Sequence, residues 1–168
     1  PALHRPARVL HRAARRLVGM NVMAHDGPAM NVVVLGSTGS VGRSTLDVIA
    51  AHPRRFRVLA LAAGQHSTGL QRQIDQFHPR FVSHASNAAF TNSMVMDSPD
   101  ALTFLATLEE ADIVVVATTG HAAIVPTIEA LKAGKIVALA NKETIVAAGA
   151  VVMPIARAAA GWCRRDAA

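Results

Sequence analysis

Residues 32–52 read VVVLGSTGSVGRSTLDVIAAH, and this stretch decides the fold. Val32–Leu35 is a short apolar run that stops at Gly36, which predicts a buried strand. Arg43–His52 carries apolar residues at helical spacing and is followed by Pro53, which predicts a helix that ends there. A strand, a glycine-rich turn and a helix in this order are typical of the first unit of a nucleotide-binding α/β domain.

The alternation of strands and helices continues along the rest of the chain. Further strands are predicted at Phe56–Ala62, Arg80–Ser83, Ile113–Ala117 and Lys135–Ala140. Helices are predicted at Thr68–Phe77, at Asp100–Glu110, between Pro126 and Gly134, and at Thr144–Ala160 with a kink or break at Pro154. Residues 84–98 have no clear pattern. Strands that alternate with helices pair in parallel through right-handed crossovers, so we expect an α/β fold with a doubly wound, Rossmann-like parallel sheet of five strands.

Composition supports one globular domain. The chain has 168 residues, of which 51% are hydrophobic and 17% charged, and this excludes a disordered or coiled-coil chain. No apolar stretch reaches the roughly 20 residues that a membrane span needs. The single cysteine, Cys163, excludes a disulfide framework. The eight histidines are scattered singly, so the sequence predicts no metal site of its own.

The net charge of +6 is concentrated in one segment. Residues 1–30 hold five arginines against one acid, Asp26. We interpret this segment as a disordered extension; a targeting peptide and a short amphipathic helix are the alternatives. Because the basic residues lie in a tail and aromatic residues make up only 4% of the chain, a nucleic-acid-binding face is not expected.

The glycine-rich turn is the first candidate site. Its residues are Gly36, Ser37, Thr38, Gly39, Ser40, Val41 and Gly42. A turn of this kind lets the backbone approach a pyrophosphate, and the following helix offers free N–H groups and the positive end of its dipole. The motif has no Lys-Ser/Thr pair after its last glycine and so is not a P-loop. The alternative is a structural turn that binds no ligand.

The end of the second predicted strand indicates which dinucleotide fits. A domain that prefers NAD carries an Asp or Glu there to hold the ribose 2′-hydroxyl. Here the sequence is Ala62-Ala63-Gly64-Gln65-His66, without a carboxylate, and Gln65 and His66 can donate hydrogen bonds to a 2′-phosphate. Positive potential can also come from Arg43, Arg54, Arg55 and Arg57, although these residues are equally compatible with a solvated face. These residues favour NADP over NAD.

The second candidate site is Asn141-Lys142-Glu143, which follows the last predicted strand. Ligands of open α/β sheets bind beyond the carboxyl ends of the strands, so these side chains are expected to face the cofactor crevice. Lys142 suits an anionic or carbonyl group of a substrate, while Asn141 and Glu143 can hold a ribose or a nicotinamide amide. The alternative is an ordinary polar loop in which Glu143 interacts with the dipole of the next helix.

Taken together, these motifs resemble the 1-deoxy-D-xylulose 5-phosphate reductoisomerase family. The segments that carry the resemblance are GSTGSVG at 36–42, LDV at 46–48, FRVLALAAG at 56–64, PT at 126–127, AGK at 133–135 and LANKE at 139–143. The resemblance implies a Rossmann-like NADPH-binding domain over residues 31–160, in which the turn holds the pyrophosphate and Gly64, Gln65 and His66 lie at the 2′-phosphate. It also implies that Asn141 and Glu143 contact the cofactor and that Lys142 binds the substrate, 1-deoxy-D-xylulose 5-phosphate.

The chain departs from the family pattern at its end. The family continues from Asn-Lys-Glu to an Asp-Ser-Glu segment whose carboxylates bind Mg²⁺ or Mn²⁺, whereas the only acid here after Glu143 is Asp166. We therefore expect residues 161–168 to be an aberrant tail of a fragment or a frameshifted chain that is inactive by itself. The resemblance further implies a homodimeric, cytoplasmic bacterial enzyme. The alternatives are another NADP-linked reductase of the homoserine dehydrogenase type and a nucleotide-binding module without chemistry.

Overall fold

The structure is a computed structural model that describes residues 27–64, 67–85 and 90–163. The basic extension expected at residues 1–30 lies outside the described residues except for its last four positions. Within these residues, six strands form one sheet: β1 Met30–Leu35, β2 Phe56–Ala63, β3 Phe81–His84, β4 Met94–Val95, β5 Ile113–Val116 and β6 Ile136–Leu139. The helices are α1 Ser40–Ala51, α2 Ser67–Phe77, α3 Ala101–Ala106, α4 Ile124–Lys132 and α5 Lys142–Cys163. A 3₁₀ turn, His121–Ala123, precedes α4.

All strand pairs are parallel, and the strand order is β4-β3-β2-β1-β5-β6. The chain moves outward from β1 to β4 and then returns to the other side of β1 with β5. This reversal of direction between β1 and β5 opens a crevice at the carboxyl ends of the two strands, which is where ligands of doubly wound folds bind. The predicted doubly wound parallel sheet is confirmed.

Alternate residues of β1 supply two separate hydrophobic cores. Val32 and Val34 pack with apolar residues of α1 and α2 on one face of the sheet. Val33 and Leu35 pack with residues of α3 and α4 on the other face. Side chains of a strand alternate between faces, so an uninterrupted run of apolar residues is what a strand covered on both sides requires.

The prediction of five strands is wrong, because Met94–Val95 forms a sixth. This strand has two residues and pairs only with Phe81 and Val82 of β3, and Met94 is exposed. The apolar run at this strand, residues 94–96, is shorter than the four to eight residues from which a strand can be predicted.

The helix predicted at Asp100–Glu110 is shorter than expected. It ends at Ala106, and the N–H of Thr107 donates to the carbonyls of Thr103 and Phe104. The hydroxyl of Thr107 also donates to the Thr103 carbonyl at 2.9 Å. A threonine that bonds back to the preceding turn offers the chain an alternative to further helix, which explains the early end.

Pro154 does not break α5, which runs from Lys142 to Cys163. Proline removes the hydrogen bond to the carbonyl four residues earlier. Both Pro154 and Ala150 are exposed, so water can satisfy the carbonyl that loses its partner. The helix also continues three residues past the boundary at 160 that the sequence predicted, and residues 164–168 of the predicted tail lie outside the described residues.

Candidate functional site

The glycine-rich turn sits at the centre of the carboxyl edge of the sheet. Gly36 has a φ of +88°, a conformation that favours glycine. The N–H groups of Gly36 and Ser37 both donate to the carbonyl of Ala62, at 2.8 and 2.9 Å, and tie the turn to the end of β2. A Cβ atom on Gly36 would lie 2.6 Å from the carbonyl carbon of Ala117, so the turn also rests against the segment after β5.

The other two glycines of the turn have different surroundings. A Cβ on Gly42 would lie 2.2 Å from the carbonyl oxygen of Gly36, so only glycine lets α1 come this close to the turn. Gly39 is exposed, and its nearest neighbour, the same oxygen, would be at 3.4 Å. The first and third glycines therefore fix the backbone, while the middle one leaves it open to a ligand.

The N-terminus of α1 has no protein cap. Its N-cap residue is Gly39, which makes no side-chain hydrogen bond to the helix. Within the described residues, the backbone N–H groups of Ser40 and Val41 donate to no protein acceptor, and Gly39 and Ser40 are exposed. Free N–H groups together with the positive end of the helix dipole form a ready anion site. This end of α1 is therefore a candidate anion site.

Two side chains that follow the turn hold it in shape. Nη1 of Arg43 donates to the carbonyl of Thr38 at 2.9 Å, and Nε2 of Gln73 on α2 donates to the carbonyl of Ser37 at 2.9 Å. Ser37 is fully buried and its hydroxyl has no hydrogen-bond partner among the described residues, so in this arrangement it meets no solvent. Gln73 could not be predicted from the sequence, because its contact with Ser37 spans 36 residues.

A groove of about 540 Å³ runs between α1 and α2 beside the turn. Thr38, Arg43, Thr68 and Arg72 line it, together with Asp47 as an acidic side chain. Arg72 is exposed, and among the described residues its guanidinium makes no hydrogen bond or ion pair. The groove therefore carries two guanidinium groups next to the first turn of α2, and the sequence had pointed to only one of them, Arg43.

The structure leaves the predicted 2′-phosphate residues partly undescribed. Gly64 is exposed and has no atom within 4 Å of where a Cβ would be, so a ligand has room there. Gln65 and His66 lie outside the described residues. No carboxylate occurs at the end of β2, whose last residues are Ala62 and Ala63.

Asn141, between β6 and α5, is 3% exposed and its side-chain amide is fully hydrogen-bonded. Nδ2 donates to the carbonyls of Thr118 and Gly120 at 2.8 and 2.9 Å. Oδ1 accepts from the N–H of Thr144 at 2.8 Å and from its hydroxyl at 3.2 Å. The amide thus caps α5 and links it to the segment after β5, a set of contacts that the sequence did not predict.

Lys142 and Glu143 occupy the first turn of α5. Lys142 is exposed and Glu143 is half-buried. Neither side chain has a hydrogen bond or ion pair in the part of the chain that the structure describes. Both remain available to a ligand, and the carboxylate of Glu143 is favourably placed at the positive end of the α5 dipole.

His84, at the end of β3, is the described titratable side chain with the clearest environmental effect. It is 4% exposed, its ring packs edge-on against Phe90 at 5.4 Å between centroids, and burial lowers its pKa. Desolvation disfavours the charged imidazolium, so this histidine stays neutral to lower pH than an exposed one.

The described residues bring together no group of three or more His, Cys, Asp or Glu side chains that could hold a metal ion. Over the same residues, no helix combines the length and the apolarity needed to cross a membrane.

The fold and the turn define the class of protein: a doubly wound domain with an uncapped helix at its glycine-rich turn is a nucleotide-binding domain. The chain belongs to the 1-deoxy-D-xylulose 5-phosphate reductoisomerase family, whose family model matches residues 32–149. It is 48% identical over 129 residues to the 1-deoxy-D-xylulose 5-phosphate reductoisomerase of Thermomicrobium roseum and 48% identical over 135 residues to that of Geobacter metallireducens.

These alignments cover 75% of this chain but only 34% and 35% of the two relatives, so the chain spans about a third of their length. Among solved structures, a DOX-P reductoisomerase in complex with NADPH, fosmidomycin and magnesium matches with a TM-score of 0.70 at 32% identity, over 77% of this chain and 34% of that one. The Zymomonas mobilis reductoisomerase in complex with NADPH matches with a TM-score of 0.70 at 30% identity, over 79% of this chain and 37% of that one.

A homoserine dehydrogenase from Thiobacillus denitrificans also matches, with a TM-score of 0.51 at 20% identity. The match covers 80% of this chain and 28% of the homoserine dehydrogenase chain. At this distance the likeness shows a shared fold and nothing more, so the family membership favours the reductoisomerase over the homoserine dehydrogenase alternative.

Proposed function

We propose that this chain is the NADPH-binding part of a 1-deoxy-D-xylulose 5-phosphate reductoisomerase, the enzyme that converts 1-deoxy-D-xylulose 5-phosphate into 2-C-methyl-D-erythritol 4-phosphate. The observation that carries the proposal is the uncapped N-terminus of α1 behind the glycine-rich turn. It offers free N–H groups to a pyrophosphate at the position where the strand order reverses. NADPH, when bound, supplies the hydride that reduces the rearranged sugar phosphate.

The exposed part of the turn binds the pyrophosphate in this proposal. Thr38, Ser40 and Val41 contribute backbone N–H groups, while Gly39, whose own N–H donates to the Gly36 carbonyl, lets the pyrophosphate approach because it has no side chain. Gly36 and Gly42 let the backbone come close. Ser37 contributes by holding the turn in place, since its N–H and carbonyl are bonded to Ala62 and Gln73 and its hydroxyl is buried. At the other end of the cofactor, Glu143 holds the nicotinamide half, and Lys142 binds the anionic substrate as a point charge.

NADP is the dinucleotide that fits better. No carboxylate stands at the end of β2 to repel a 2′-phosphate. Arg43 and Arg72 line the groove that opens beside the first turn of α2, and Gly64, Gln65 and His66 precede that turn in the sequence. A guanidinium pairs with phosphate oxygens through two parallel hydrogen bonds, which makes arginine well suited to this role.

The divalent metal of the solved reductoisomerases does not fit the described residues, because they present no cluster of metal-ligating side chains. No catalytic step through a metal is therefore assigned to this chain. We propose that the chain alone binds NADPH without turning over substrate, and that the whole enzyme is a homodimer of the bacterial cytoplasm.

Titration of the chain with NADPH and with NADH, followed by nucleotide fluorescence, tests the proposal. Tighter binding of NADPH than of NADH is expected. Equal affinity for the two nucleotides, or no binding of either, contradicts it. A parallel assay with 1-deoxy-D-xylulose 5-phosphate, Mg²⁺ and NADPH is expected to give no oxidation of NADPH; turnover would show that the chain is a complete catalyst.

A further inference from the structure

We propose that Gln73 is a positioning residue for the pyrophosphate of the dinucleotide. Its side-chain amide reaches from α2 to the glycine-rich turn and holds the Ser37–Thr38 peptide in the orientation that presents the Thr38 N–H to a phosphate. This inference rests on the proposed function, and it adds a residue outside the glycine-rich turn and its helix to the parts of the chain that prepare the cofactor site.

The four carbonyl oxygens of residues 36–39 all accept a hydrogen bond from the protein, two from backbone N–H groups and two from side chains. Nε2 of Gln73 donates to the carbonyl of Ser37 at 2.9 Å. Nη1 of Arg43 donates to the carbonyl of Thr38, also at 2.9 Å. Carbonyl oxygens carry partial negative charge and repel a phosphate, so an anion site built from backbone N–H groups requires its carbonyls to face away from the ligand.

The hydrogen bond from Gln73 fixes the direction of an N–H group as well as that of a carbonyl. A trans peptide is planar, and its C=O and N–H bonds point in opposite directions. Because the Ser37 carbonyl points at Nε2 of Gln73, the N–H of Thr38, which belongs to the same trans peptide, points away from this amide. Within the described residues this N–H donates to no protein acceptor. Its direction therefore depends on one side chain of a different helix.

Helix α2 is anchored firmly enough to support the turn. Leu70 and Ile74, on either side of Gln73 in the sequence, are fully buried. They pack in the same hydrophobic core as Leu46 and Ile49 of α1, so both helices are fixed to one face of the sheet. Gln73 itself is half-buried, which restricts the rotamers of a long side chain and lowers the entropy that it loses when it bonds to the turn.

The substitution Gln73→Met removes this hydrogen bond with little other disturbance. Methionine is unbranched and similar in length to glutamine, but it has no donor. Oε1 of Gln73 is buried without a hydrogen-bond partner among the described residues, so the substitution removes an unsatisfied oxygen together with the donor. We therefore expect the chain to stay folded while the Ser37–Thr38 peptide becomes free to rotate. Glutamate would be a poorer choice, because its charge would repel a phosphate whether or not the turn moves.

Gln71 provides a matched control, because it lies on the same helix and is also half-buried. Its Nε2 donates to the side chains of Asp75 at 2.8 Å and Thr91 at 3.3 Å. Neither of these residues belongs to the glycine-rich turn or lines the groove beside it. Gln71→Met makes the same chemical change and removes side-chain hydrogen bonds of α2, while leaving the turn untouched. Any effect that both variants share reports on the general stability of α2.

The binding test measures the dissociation constants of NADPH and of adenosine 2′-monophosphate, which has the 2′-phosphate but no pyrophosphate, for the full chain and the two variants. For Gln73→Met we expect NADPH to bind about fivefold more weakly, the loss that corresponds to one hydrogen bond of ordinary net strength. Binding of adenosine 2′-monophosphate should change by less than about twofold, because its phosphate does not occupy the pyrophosphate position. Gln71→Met should change neither constant by more than that. Equal weakening of both ligands by Gln73→Met, or no weakening of NADPH, overturns the inference.

Hydrogen exchange of the ligand-free proteins gives a second measurement that does not depend on the proposed function. The backbone N–H groups of Ser37 and Gly39 each donate to a backbone carbonyl, at 2.9 and 3.2 Å. They should exchange about fivefold faster in Gln73→Met than in the parent chain, and at the parental rate in Gln71→Met. Unchanged exchange in Gln73→Met overturns the inference even if NADPH binds. If the parent chain binds neither ligand but the exchange result is as expected, the proposed function fails and the role of Gln73 in fixing the turn stands.

Discussion

The β1–α1 unit and the β6–α5 unit are both a parallel strand, a polar connection and a helix, yet they are built in opposite ways. In the first unit the connection has glycines at its tightest points, and the helix begins without a cap. In the second unit a buried asparagine side chain fills the connection and caps the helix. The central strand β1 has four buried residues, whereas β6 is an edge strand with none.

The difference teaches how the connection before a helix decides which of the helix's first N–H groups stay free. A helix N-terminus attracts phosphate only while its N–H groups are free. Those of α1 are free, but the Thr144 N–H of α5 is already bonded to Asn141. The first turn of α5 therefore has one N–H group fewer to offer than its position suggests, which supports the proposal that the cofactor phosphates bind at the first unit and the substrate beside Lys142 at the second.

The largest expected effect comes from exchanging one glycine in each unit for alanine. Gly42→Ala puts a methyl group 2.2 Å from the carbonyl oxygen of Gly36 and should lower the free energy of unfolding by about 3 kcal/mol. Gly149→Ala, inside α5, meets only Ile145 at 3.8 Å and should raise it by about 1 kcal/mol, because alanine is the better helix former. Urea denaturation of both variants measures the difference.

Opposite signs for these two substitutions would confirm that the first unit depends on close backbone approach and the second does not. Two losses of similar size would contradict the contrast, since they would mean that α5 at Gly149 is packed as tightly as α1 at Gly42.

The caps of the two helices give the next largest effect. Asn141→Ala removes the cap of α5 and leaves the carbonyls of Thr118 and Gly120 without their donor, which should cost about 2 kcal/mol of unfolding free energy. Ser40→Ala, at the start of α1, removes a side chain that makes no cap hydrogen bond and should cost less than about 0.5 kcal/mol. Thermal melts followed by circular dichroism compare them; equal costs would show that α1 has a cap of its own.

The charge of the groove beside the first unit predicts a smaller effect on binding. Arg72→Gln should weaken the binding of NADPH by about fivefold and leave the binding of NADH unchanged. The effect is modest because Arg72 lies in the groove but is exposed, so solvent screens its charge-assisted hydrogen bond with the 2′-phosphate. Arg57→Gln removes an equally exposed charge from β2, outside the groove, and serves as the control. If both variants weaken NADPH binding equally, Arg72 acts only through the overall charge of the protein and not through a contact with the 2′-phosphate.

The smallest expected effect is on the pH dependence of stability, and it comes from His84, which lies outside both units. Burial lowers the pKa of His84 from its ordinary value of 6.5, so the unfolded chain takes up the proton first as the pH falls. Stability from this group is complete above pH 6.5 and decreases as the pH falls from there through the folded-state pKa. His84→Gln should flatten this decrease in urea denaturation measured between pH 7.5 and 5, and an unchanged slope would exclude His84 as its source.

The parts of the molecule that the sequence predicted correctly are those whose signal is local. The apolar run at Val32–Leu35, the turn behind it and the helix that follows are decided within 21 residues. The strand Met94–Val95 was missed because two residues carry no period, and it exists only by pairing with β3. The role of Asn141 was out of reach for a related reason: its sequence neighbours show a polar loop, and only the fold brings Thr118 and Gly120 to its amide.

The position of β1 at the centre of the sheet sets an order of events during synthesis of the chain. Val32 pairs with Val58 on one side and with Ile113 on the other, so the second partner is made about 80 residues after the strand itself. At ribosomal speeds of about 5–20 residues per second, β1 waits roughly 4–16 s with one edge unpaired. During that interval a strand with four residues that are buried in the finished sheet has an open edge, the kind of surface on which chains pair wrongly with one another. Whatever shortens the interval or covers that edge, such as a chaperone at the exit tunnel, should raise the yield of folded protein without altering its final stability.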